Sequence, residues 1–80
     1  MAVATYDLGA VGSYTAVSVT CDGDITAVKR GGPGGAYEFT DAQGDRATVK
    51  VNGQEAQSVF STIAKADVDA IVTATNAATP

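Results

Sequence analysis

The sequence predicts an α+β fold: a small antiparallel β-sheet of four to five strands with two hairpins, followed by a C-terminal amphipathic helix or two short helices. Three observations lead there. Apolar side chains alternate with period two through several short runs in residues 2–51, and clusters rich in glycine and aspartate separate those runs. After Asn52-Gly53 the apolar spacing lengthens to three or four.

Residues 2–8 read as an edge strand, with Val3 and either Tyr6 or Leu8 inward and Asp7 near the end. Gly9 to Ser13 read as a turn, because two glycines three apart interrupt the period. The next run, YTAVSVTC at residues 14–21, is β-branched or aromatic at most positions. Val17, Val19 and Cys21 fall on one face, and Tyr14, Ala16, Ser18 and Thr20 on the other. Asp22-Gly23-Asp24 is a tight turn from which residues 25–30 return. A three-residue loop sets Cys21 opposite Ile25 and Val19 opposite Ala27, gathering more apolar area than the two-residue alternative, in which Val17 faces Val28.

Four glycines around a proline, at Gly31, Gly32, Pro33, Gly34 and Gly35, fit neither a helix nor a central strand. They read as a loop or flap with Lys29 and Arg30 at its base. Residues 36–51 then form the hairpin that specifies its own register. With Thr40 opposite Arg46, Phe39 meets Ala47 and Tyr37 meets Val49, while Glu38 lies beside Thr48 and diagonal to Lys50. A slip of one residue would oppose apolar to polar throughout. Asp41 and Gly44 supply the turn chemistry between the two strands.

Asn52-Gly53 signals a tight reversal. Beyond it Phe60, Ile63, Ala64, Val68, Ile71, Val72 and Thr75 make one helical stripe, with Lys65, Asp69 and Thr73 elsewhere. Asp67 intrudes on the stripe's margin and could cap a second, shorter helix starting near Val68. Residues 76–80 read as a frayed tail.

Eighty residues make one domain, which buries about 60% of the surface its unfolded chain exposes. There is one cysteine and no histidine or tryptophan, so the core must come from Val, Ile, Ala, Tyr and Phe without an internal disulfide. Nine acidic and five basic side chains give a net charge of −4, which disfavours non-specific nucleic-acid binding. Neither a signal peptide nor a run long enough for a membrane span is visible, so the chain is expected in the cytoplasm or in a virion.

Candidate chemistry is sparse. The glycine flap lacks the lysine and following helix of a phosphate loop. Asp22 and Asp24 are not followed by further oxygen ligands at calcium-loop spacing. Asp67 and Asp69, two apart, point in different directions on a helix. Glu38, Asp41 and Asp45 would need a cleft between them to act as an acid/base pair. Cys21 has no histidine to activate it and reads as a half-buried strand residue. Lys29, Arg30, Arg46 and Lys50 with Tyr37 and Phe39 resemble the side-chain set of β-sheet RNA binders, but those aromatics share the apolar face.

The expectation is thus a protein without enzymatic activity, cofactor, metal, nucleic-acid or membrane partner. It is expected to be structural and to self-associate, with a small virion coat, cement or decoration component as the form suggested by size and composition. The order of sheet then helix is similar to that of small RNA-phage coat proteins. The alternative is a small acidic regulator or inhibitor of a cellular protein. Lys29, Arg30, Gly31, Gly32, Pro33, Gly34 and Gly35 are the candidate contact residues, and unprotected edge strands at residues 2–8 or 25–30 are the physical route to association.

Overall fold

The computed structural model describes residues 3–30, 36–55 and 63–79. Among them the chain forms β1 (Ala4–Val11), β2 (Tyr14–Cys21), β3 (Ile25–Arg30), β4 (Tyr37–Asp41), β5 (Thr48–Val51), β6 (Gln54–Glu55) and α1 (Lys65–Ala78). The expected α+β fold is present, with its strands divided between two antiparallel sheets of order β1-β2-β5-β6 and β3-β4.

The alternation in β2 is realised from Val17 to Cys21, with Val17, Val19 and Cys21 buried and Ser18 and Thr20 more exposed, whereas at its start Thr15 is exposed and Tyr14, expected on the other face, packs against the core. Val17 pairs with Val51 and Val19 with Val49, so the inner face of the larger sheet is a valine surface. Ile25 and Phe39 face it from the smaller sheet, and Ile63, Val68 and Ile71 close the core from the C-terminal segment. Two half-apolar sheets and one amphipathic helix cover each other, as layered packing requires.

The hairpin expected over residues 36–51 keeps only its first rungs. Thr40 bridges Arg46, and the Ala47 N–H donates to the Phe39 carbonyl at 2.8 Å, as expected. Beyond that point the strands part, with β4 joining β3 and β5 joining β2 and β6, so Tyr37 does not pair with Val49. Parting at this corner brings the two apolar faces onto one shared core. The expected return of β3 against β2 is also corrected. Both edges of β2 are occupied, by β1 and β5, and the Asp22 N–H donates to the Asp41 carboxylate at 3.0 Å, so residues 22–24 cross between the sheets.

The boundary between the first strand and its turn also moves. β1 continues through Gly9 to Val11 with register shifts on either side of Gly9, and the turn shrinks to Gly12-Ser13. Its inward side chains are Ala4, Tyr6 and Leu8, whereas Val3 is 65% exposed. At the Asn52-Gly53 reversal both residues have positive φ, +51° and +81°, as a tight hairpin turn demands. The Asn52 side-chain oxygen also accepts from the Thr15 N–H, the Thr15 hydroxyl and the Ala16 N–H at 3.0–3.1 Å, tying this turn to β2.

The helix starts at Lys65, so Asp67 lies in its first turn and is not a cap. Its carboxylate accepts from the Ser13 N–H at 3.1 Å and the Ser13 hydroxyl at 3.2 Å, which pins the helix to the β1–β2 turn. Val68, Ile71 and Thr75 are buried along the expected stripe, and Phe60 lies outside the described residues. Thr75 enters the core without an orphaned hydroxyl because it donates to the Ile71 carbonyl at 2.7 Å. Asn76 to Ala78, expected in a frayed tail, belong to the helix. It ends at Thr79, which precedes a proline and is accordingly extended.

Candidate functional site

β3 is the least covered of the strands longer than two residues. Ile25 is buried, but Thr26, Ala27, Val28, Lys29 and Arg30 are all exposed, with Val28 37% exposed. Both expected edges are edges. β1 borders the larger sheet and β3 the smaller, and among the described residues no strand lies beyond either. The two differ in regularity. β1 is interrupted on both sides of Gly9, and the Asp7 carboxylate accepts from the Gly9 N–H at 3.3 Å, occupying a donor of the strand. Bulges of this kind turn an edge away from further pairing. β3 has its irregularity between Ile25 and Ala27 and then runs in regular register with β4, from Ala27 opposite Thr40 to Arg30 opposite Tyr37.

The start of β3 is fixed from three directions. The Asn76 carboxamide takes both backbone groups of Ile25, accepting from its N–H at 2.7 Å and donating to its carbonyl at 3.2 Å. The helix thus stands in for a neighbouring strand at that one residue. The Thr26 hydroxyl donates to the Asp41 carbonyl at 3.1 Å, and the Thr79 hydroxyl donates to the Asp24 carboxylate. Asp41 itself is 2% exposed and accepts from the N–H groups of Gln43 (2.9 Å), Asp45 (3.0 Å) and Asp22 (3.0 Å). The bond from Asp22 is the main cause that holds its carboxyl below 3.8; burial opposes it, and the bonds from Asp45 and Gln43 reinforce it.

The far end of β3 carries the two charged residues singled out by the sequence. The Arg30 guanidinium sits 5.0 Å from the Tyr37 ring centroid, with Nη1 3.5 Å from the phenolic oxygen. Lys29 is opposite Glu38 in the ladder. Both residues lie at the end of the strand expected over residues 25–30. Gly31, Gly32, Pro33, Gly34 and Gly35 lie outside the described residues.

The remaining candidates have structural roles. Cys21 is buried, and its thiol is pushed above 9.0 by burial first and then by the charges of Asp41, Asp22 and Asp24. That is the opposite of an activated nucleophile. Among the described residues no group of three or more His, Cys, Asp or Glu side chains could hold a metal ion, and no helix is long and apolar enough to cross a membrane. A shallow depression of about 330 Å³ on the larger sheet is bordered by Thr5, Asp7, Ala16, Val17, Ser18 and Lys50, and it is open to solvent, not an enclosed pocket.

Sequence reasoning missed Asn76 and the long reach of Asp41, because their partners lie 51 and 19 residues away. No local pattern carries such a signal. No protein-family model matches this chain, and comparison with curated proteins and with solved structures likewise finds no match.

Proposed function

We propose that this chain is a non-enzymatic structural subunit that associates with copies of itself, in the cytoplasm or as a small coat, cement or decoration component of a virion. The observation that carries the reading is the β3 edge, a strand exposed from Thr26 to Arg30 and in regular register from Ala27, with a valine at its middle. Such an edge offers a row of backbone donors and acceptors to another strand. It is also preorganised, because Asn76, Thr79 and Asp41 hold its start, so pairing orders little that is not already ordered.

The test is absolute mass by light scattering behind a sizing column, over a concentration series at moderate salt. The reading requires a mass that rises above 8.0 kDa with concentration. A strict monomer at every concentration overturns it. The net charge of −4 would then favour an acidic regulator docking on a basic protein surface.

A further inference from the structure

We infer that Asn52 is a site of spontaneous covalent modification: when its turn opens, the Gly53 amide nitrogen displaces ammonia from the side chain, and the fold takes up the aspartyl product in place of the amide. Self-association is not required for it. The chain has two asparagines, and Asn52 is the one followed by glycine, which leaves the attacking nitrogen unhindered. Both residues are exposed, and a β-carbon added at Gly53 would meet nothing within 4 Å, so water and base reach the peptide between them.

The Gly53 nitrogen gives up its proton to a solvent base and attacks Asn52 Cγ. The Cγ–Nδ2 bond breaks with release of ammonia, closing a five-membered imide. Water then opens the imide at one of its two carbonyls. Cleavage of the new Cγ–N bond leaves aspartate, whereas cleavage on the backbone side reroutes the chain through Cγ as isoaspartate. One water is consumed for each ammonia released, and no redox partner enters.

The folded turn resists the first step. Positive φ at both Asn52 and Gly53, +51° and +81°, defines a type I′ turn. Its first central ψ of about +30° keeps the Gly53 nitrogen close to the Asn52 nitrogen. Ring closure needs the Gly53 nitrogen eclipsed with the Asn52 β-carbon instead, so the peptide must rotate and release the Val51–Gln54 pairing. The Thr15 N–H, the Thr15 hydroxyl and the Ala16 N–H, at 3.0–3.1 Å from Oδ1, resemble an oxyanion hole. They act on a carbon that the nitrogen reaches only after the turn has opened. β6 is two residues long, so that opening is local and does not need the core to unfold.

The same three donors select the product. All of these contacts use Asn52 as an acceptor, and three donors converging on one oxygen suit a carboxylate better than an amide. Aspartate therefore re-forms the tie to β2 with charge-assisted bonds. Isoaspartate adds a methylene to the main chain of a two-residue turn and breaks the reversal.

Incubation at mildly alkaline pH, with the exchange of ammonia for water followed by mass and located by peptide mapping, tests the site. In urea Asn52 should convert ahead of Asn76, whose neighbour is Ala77. Under folding conditions Asn52 should react at least about tenfold more slowly than in urea. A folded rate equal to or above the rate in urea, or preference for Asn76, overturns the inference. Two variants compared at neutral pH test the product. Asn52→Asp should melt no lower than the parent, and Asn52→Ala, which leaves three donors unanswered, should melt below both. An Asn52→Asp chain that melts together with Asn52→Ala overturns uptake of the aspartyl form.

Discussion

Asp41 shows how much one side chain can organise. Its Oδ1 closes the turn before β5 by accepting from Gln43 and Asp45, while Oδ2 reaches the Asp22 N–H and ties the crossing between the sheets. Since its folded carboxyl titrates below 3.8, the unfolded chain takes up this proton first as acid is added. The contribution of Asp41 to stability is therefore complete above 3.8 and is lost as pH falls through the depressed folded value. Asp41→Asn keeps one acceptor but turns an amide NH2 toward the Asp22 N–H. Urea melts from pH 7 to pH 2 should find the variant less stable at neutral pH and less sensitive to acid, and equal acid slopes would show that this carboxylate is not the group being protonated. Cys21 gives the complementary measurement, since its thiol is both buried and kept protonated. Alkylation by iodoacetamide should follow the unfolded population and run about 10³-fold slower or more than in urea. Equal rates would mean that β2 does not shield it.

Elements were legible where one strand's own pattern decides its faces, and illegible where the neighbour had to be chosen. Tyr14–Cys21 appears with the expected bounds and the expected buried face. Periodicity says which side of a strand is apolar, but not which strand lies beside it. A short Asp-Gly-Asp turn after β2 therefore suggested a hairpin, where the chain instead changes sheets because β2 already has two neighbours. The candidate contact residues Lys29 and Arg30 were legible as exposed charges, whereas the closure of the edge by Asn76 depends on a contact across 51 residues. Turns separate local from tertiary requirements in a measurable way. Gly12 and Gly53 both have positive φ, +57° and +81°, so alanine at either costs roughly 1–2 kcal/mol of backbone strain. At Gly53 an added β-carbon meets nothing within 4 Å, but at Gly12 it would overlap the Asp67 carboxylate, which must then release Ser13. Thermal melts should rank Gly12→Ala clearly below Gly53→Ala. The reverse order would mean that the Asp67 link does not hold the helix to the β1–β2 turn.

At the scale of the whole molecule, α1 joins what the two sheets alone leave loosely connected. It packs on β1, touches β3, holds the β1–β2 turn through Asp67 and holds Ile25 through Asn76. Ile71 is fully buried at the middle of this helix, so Ile71→Ala removes apolar contacts from the shared core at a cost of about 2–5 kcal/mol. A chain of 80 residues has a total stability of only about 4–12 kcal/mol. At ~4–8 °C per kcal/mol for a domain of this size, the variant should melt at least ~8 °C lower, while Thr73→Ala on the exposed face of the same helix should stay within a few degrees of the parent. Ile71→Asp, which buries an unpaired charge at the same place, should leave no cooperative transition. Melting of Ile71→Ala together with Thr73→Ala would mean that the helix does not cover the core. β3 would then lose the support that holds its start in place.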